Sequence, residues 1–140
     1  MVFATAGGVY SVDVASATPS TTQLVNAANA GVTGSLFGTS PTASLMQTDA
    51  DQVFFKTSNG DLYATKGGTS DTVKLAGTVT NFKVVAENAI YFVETDSASA
   101  TSLWYSDGTA TGTRFVEALP ANISYDLDNA VAIITVGVSG

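Results

Sequence analysis

"LWYSDGTATGT", residues 103–113, has a partial copy 41 positions upstream in "LYATKGGTSDT", residues 62–72. Each stretch opens on a large apolar residue and an aromatic, Leu103-Trp104 and Leu62-Tyr63, then runs through a small polar turn. Val9-Tyr10 starts the same layout a third time, nearer the N-terminus. After the turns "SATPSTT", "KGGTSDT" and "SDGTATGT" come apolar strands at 23–26, 73–77 and 114–118, and further apolar strands at 2–5, 53–57 and 90–95 precede the pairs. A fourth piece recurs as well. "LMQTDADQVFF", "VVAENAIYF" and "YDLDNAVAII" each set a short acidic turn between two apolar strands, where Asp and Asn bond nearby amides and tolerate left-handed backbone.

The pattern predicts an all-β chain of four strands per unit and three units, about 1–48, 49–86 and 87–140, in one domain spanning 1–140. Residues 21–30 are the only helix-like stretch, and their β-branched and Asn content argues against a helix. "SNGD", residues 58–61, predicts a two-residue hairpin turn, since Asn-Gly suits that geometry. The first anchor spacing is 53 residues, so residues 26–44, "NAANAGVTGSLFGTSPTAS", read as an inserted loop of small residues and a candidate contact. Four-stranded units of roughly 40–45 residues are what a β-propeller blade looks like in sequence. In "VFF" and "IYF" adjacent residues are both large and apolar, so both faces of the strand need cover, which neighbouring units would supply.

Residues 103–118, "LWYSDGTATGTRFVEA", resemble the repeat written ELWxSDGTxxGTxxVxD, found in long arrays in bacterial surface and secreted proteins and regarded as propeller-like. Leu103, Trp104, Ser106, Asp107, Gly108, Thr109, Gly112 and Thr113 carry the match, with Ser102 in place of the leading Glu. The second unit keeps Leu62, Tyr63, Gly68, Thr69 and Thr72. The first keeps Val9, Tyr10, Leu24 and Val25. The resemblance implies an architecture and placement at a surface, and brings no catalytic residue with it.

Composition narrows the chemistry. The formal net charge of −7 disfavours nucleic acid and anionic membrane, which need a basic face. The five basic residues, Lys56, Lys66, Lys74, Lys83 and Arg114, are scattered, and Asp13 is the only charged side chain in the first 48 positions. Without cysteine there are no disulfides or thiolate metal sites, and without histidine the usual general base is missing. No apolar run approaches the roughly 20 residues of a membrane-spanning helix, and the N-terminus lacks the pattern of a signal peptide. "NIS", residues 122–124, is a chance glycosylation sequon on this reading.

Ser106-Asp107-Gly108-Thr109 reads as a turn in which Asp-Gly bends the chain and hydroxyls cap amides. Asp49 with Asp51, and Asp126 with Asp128, are pairs at strand spacing that offer the nearest approach to a Ca²⁺ site, with fewer oxygen ligands than a calcium loop supplies. No carboxylate pair stands out for glycoside hydrolysis. Trp104 and Tyr105 are a conceivable sugar platform, but Trp104 shares its place with Tyr10 and Tyr63 and so reads as packing.

Three units are too few to close a propeller, which typically has about 4–8. The array is expected to stay open unless completed by another chain, with protein partners through a homo-oligomer or larger assembly. The contacts expected are the segment 26–44 and the edge strands at 2–5 and 130–136. A starting Met and an apolar final strand suit a complete small protein. The function expected is a non-enzymatic structural or assembly subunit without a cofactor, on a virion or extracellular surface. The alternative is a glycan- or calcium-binding adhesion module.

Overall fold

The structure is a computed structural model and describes residues 1–39, 46–48, 51–120, 124–127 and 133–135. Among them there is no helix, and residues 21–26 are a strand, as their β-branched content requires. The strands are β1 (Val2–Thr5), β2 (Gly8–Val12), β3 (Thr21–Asn26), β4 (Met46–Thr48), β5 (Val53–Lys56), β6 (Leu62–Thr65), β7 (Val73–Ala76), β8 (Val79–Ala86), β9 (Ala89–Thr95), β10 (Thr101–Ser106), β11 (Arg114–Leu119), β12 (Ser124–Asp126) and β13 (Ile133–Thr135). They form antiparallel meanders. The first sheet is β1-β2-β3, the second β4-β5-β6-β7 and the third β8-β9-β10-β11, while β12 pairs with β13.

Among the described residues the four-strand pattern is complete in the second and third sheets. The three strands of the first sheet correspond to the second, third and fourth strands of the others. Hydrogen bonding also shifts the units by one strand from the expected divisions at 48/49 and 86/87. β4 belongs with β5 and β8 with β9. The physical reason is that an acidic turn closes a hairpin, and a hairpin joins strands of one sheet, so dividing at that turn splits the sheet.

Within the three sheets the repeat holds to the level of register. Phe3 faces Tyr10, Phe55 faces Tyr63 and Phe92 faces Trp104 across adjacent strands. All three pairs are stacked, with centroids 5.5, 5.2 and 6.2 Å apart. A register shift follows at the same place each time, between Val9 and Tyr10, Leu62 and Tyr63, and Leu103 and Trp104. The extra residues opposite are Leu24, Leu75 and Val116. Such bulges increase local twist.

The sheets pack face to face. Phe54 and Phe55 are neighbours on β5 and both are 0% exposed. Because strand side chains alternate, they enter different cores. Phe55 joins Val9, Val25, Val32, Leu36 and Phe37, whereas Phe54 joins Leu62, Val79, Phe82, Ile90 and Phe92. The second sheet is therefore covered on both faces.

The inserted segment does not behave as an exposed loop. Ala30, Val32, Leu36 and Phe37 are buried, and Phe37 meets Phe55 edge-on at 6.4 Å. Leu36 N–H donates to Ala6 O at 2.9 Å, Ser58 N–H donates to Leu36 O at 2.9 Å, and Asn59 Nδ2 donates to Ala30 O at 2.9 Å. These bonds join the β1–β2 turn to the β5–β6 turn, so the apolar side chains of the described part are spent on the interior. Residues 40–44 lie outside the described residues.

The Asn-Gly hairpin also differs from expectation. Thr57 N–H donates to Asp61 O at 2.9 Å and Gly60 N–H to Thr57 O at 3.0 Å, with Gly60 at φ 90. Asn59 is not left-handed, so the loop has three residues ending on a bulge glycine. Thr57 Oγ1 accepts from Asp61 N–H at 3.1 Å and contacts Asn59 Oδ1, which holds this wider form.

Candidate functional site

The repeat motif builds a hydroxyl-capped turn twice. In the third sheet Ser106 Oγ accepts from Gly108 N–H at 3.0 Å and lies 2.8 Å from Thr113 Oγ1, which donates to Thr109 O at 2.7 Å. In the second, Thr65 Oγ1 accepts from Gly67 N–H at 3.0 Å and lies 2.8 Å from Thr72 Oγ1, which donates to Gly68 O at 2.7 Å. A hydroxyl has one proton. Thr113 and Thr72 give theirs to the carbonyls, so Ser106 and Thr65 donate to them and accept the glycine amide with a lone pair. Gly67 and Gly108 have φ of 101 and 92, left-handed values that side chains rarely adopt. Ser106 is fully buried in this relay, which leaves it no access to a substrate.

Asp107 Oδ1 accepts from Thr109 N–H at 2.9 Å and Oγ1–H at 2.6 Å, and these two bonds hold its carboxyl below the usual carboxylate range. Ser102, standing where the motif has Glu, accepts the Trp104 indole N–H at 2.9 Å. Trp104 stacks on Phe92 and meets Phe115 edge-on at 5.8 Å. Tyr105 packs against Tyr91 at 5.5 Å and beneath the Arg114 guanidinium at 4.5 Å. The two rings serve packing, and neither lines the cleft described next.

Two glutamines that carried no weight in the sequence reading fasten the second sheet to the third. Gln47 Nε2 donates to Phe82 O at 2.9 Å while its Oε1 accepts from Val84 N–H at 2.8 Å. Gln52, 3% exposed, donates to Asn88 Oδ1 at 2.8 Å and to Asp107 O at 3.3 Å. It lies against Gly108, where a Cβ would collide with its amide. The signal available in sequence was an amide side chain beside apolar strand residues, Gln47 after Met46 and Gln52 before Val53. Where the two capped turns meet is an open cleft of about 200 Å³, lined by Gln52, Lys66, Ser70, Asp71, Gly108 and Thr109 among others.

Each calcium candidate pair is described in one member only. Asp51 pairs with Lys66 at 3.2 Å. Asp126 is in β12, opposite Ile133, and Asp49 and Asp128 lie outside the described residues. Among the described residues no group of three or more acidic, His or Cys side chains gathers as a metal site, and no helix is long and apolar enough to cross a membrane. Asp61, largely buried, pairs with the half-exposed Lys74 at 2.9 Å, beside Tyr63, whose hydroxyl is pushed up by burial and then by the Asp61 charge.

Among the described residues, the first sheet has a packed sheet on one face only. Phe55 and Phe92 are both 0% exposed because the preceding sheet lies over each. Their equivalent, Phe3, is only half-buried, as is Tyr10, whose hydroxyl accepts from exposed Gln23 Nε2 at 2.8 Å. The expected contact strand at 2–5 is β1, at the edge of this sheet. Of the other, at 130–136, only β13 is described.

No protein-family model matches the chain, and no curated protein matches it. Among solved structures, the chain is similar to the crystal structure of the N-terminal domain of Nup159, at 17% identity and a TM-score of 0.49. That match covers 86% of this chain and 28% of the other, so the chain spans under a third of the structure it matches.

Proposed function

We propose that the chain is a non-enzymatic assembly module, a run of propeller-like blades that docks on a protein neighbour at the surface of a virion or cell. The observation that carries this reading is the Phe3–Tyr10 pair. Phe55 and Phe92, the equivalents of Phe3, are each sealed under a sheet, whereas Phe3 is only half-buried. Uncovered aromatic surface backed by a rigid sheet gains by burial, at about 25 cal/mol per Å² of apolar area. The acidic balance of the chain keeps such an assembly soluble.

The test is sedimentation across a hundredfold range of protein concentration. The chain is expected to form concentration-dependent oligomers, and Phe3→Glu to shift them to monomer while keeping its β-sheet circular dichroism. A folded monomer at every concentration would defeat the reading.

A further inference from the structure

On one side β1 is bonded to β2; on the other, among the described residues, it has no strand. The ladder determines which groups face the gap. Met1 and Val12 exchange two hydrogen bonds, of 2.9 and 2.8 Å. In an antiparallel pair such exchanges recur at every second residue. Phe3 and Thr5 therefore turn their backbone groups toward β2, and Val2 and Ala4 turn theirs toward the open edge.

The same edge is occupied in the next two sheets. β4 lies along β5, placing Met46, Gln47 and Thr48 opposite Phe55, Phe54 and Val53. β8 lies along β9, placing Phe82, Lys83 and Val84 opposite Phe92, Tyr91 and Ile90. Both occupants read large apolar, long polar, β-branched. The β1 edge also lacks the usual protection. Its residues, Val2, Phe3, Ala4 and Thr5, include no charge, proline or bulge, whereas the edge strands β7 and β11 carry Lys74, and Arg114 with Glu117. Natural edges without such devices are templates for pairing.

We propose that the open edge of β1 is a strand-docking slot for an antiparallel segment of a partner protein with that three-residue pattern. The large apolar side chain lies opposite Phe3 and the polar one opposite Val2. Main-chain bonds to Val2 and Ala4 provide affinity, and the site beside Phe3 selects the apolar residue. This inference rests on the assembly reading for a partner to exist, but uses a different surface, the strand edge instead of the Phe3–Tyr10 face.

The experiment titrates the full chain into a fluorescent peptide with the β8 sequence VTNFKVVA and follows amide hydrogen exchange. Saturable binding is expected, weakened at least tenfold by Ala4→Pro, which removes an edge N–H outside the β1–β2 ladder. The Val2 and Ala4 amides should slow on binding, while those of Phe3 and Thr5 stay protected throughout. The exchange readout stands even if Ala4→Pro fails to fold. Equal binding of a scrambled peptide, or unchanged exchange at Val2 and Ala4, overturns the slot. Oligomers with unchanged exchange leave the assembly reading and remove the slot; protection in a chain that never oligomerises does the reverse. If the peptide also dissolves oligomers, the slot is supported with a second copy as its occupant.

Discussion

The second sheet and the first are built from the same parts and differ in what surrounds them. Both stack a phenylalanine on a tyrosine across adjacent strands, and both bulge after the apolar residue before that tyrosine. Yet β5 buries Phe54 and Phe55 completely in two separate cores, whereas the Phe3 face of β1 is only half-covered. A repeat unit of this kind is not a self-sufficient globule, since a sheet with two apolar faces needs a neighbour on each. The first sheet shows the unit with a neighbour, among the described residues, on one face only.

The largest effect expected from this contrast is in the aromatic cores. Phe55→Ala should cost about 3–5 kcal/mol in urea unfolding, the range for emptying a filled aromatic site. Phe3→Ala, measured on dilute monomer, should cost less than about half as much, because less of its surface leaves water on folding. Equal losses would mean that the Phe3 face is already covered in the isolated chain, and the contrast between the sheets would collapse.

A smaller effect should separate the polar groups. Gln52→Leu removes the bonds that the buried Gln52 amide makes to Asn88 Oδ1 and to the Asp107 carbonyl. A net loss of about 0.5–1.5 kcal/mol per bond is expected. Gln23→Leu in the first sheet removes only an exposed bond to the Tyr10 hydroxyl and should stay within about 0.5 kcal/mol of the parent. Thermal melts of the two variants sharpen the comparison. A harmless Gln52→Leu would show that the apolar core and the Gln47 bonds hold the second and third sheets together without it.

The strand pairs were legible because the signal is local. "VFF" and "IYF" put large apolar residues on both faces of one strand, and the two cores around Phe54 and Phe55 follow from that. The capped turn was legible for the same reason, since Ser106, Gly108 and Thr113 are within eight positions of each other. Sheet phase was not, because turn residues at Glu87-Asn88 mark a reversal without saying which strands bond across it. The segment carrying Ala30, Val32, Leu36 and Phe37 has too few apolar residues, too irregularly spaced, to announce that it fills a core. Gln47 and Gln52 gain their meaning from partners more than 30 positions away.

The smallest effect distinguishes the two capped turns from each other. Position 107 holds an aspartate, while Lys66 stands at the equivalent place in the second turn, 41 residues earlier. The two bonds from Thr109 lower the Asp107 pKa on folding, so its contribution is fully present above the unfolded value of about 3.9 and is lost as pH falls through the lower folded value. Asp107→Asn keeps an oxygen acceptor for Thr109 but removes the charge. The parent should therefore melt slightly above the variant from pH 7 down to about 5, with the difference closing at still lower pH. Lys66→Met touches no such carboxylate relay and removes only an exposed ion pair with Asp51, a change of about 0–1 kcal/mol. A gap at Asp107→Asn that stays constant into strong acid would mean that the Thr109 bonds hold the turn through geometry, with no contribution from the charge.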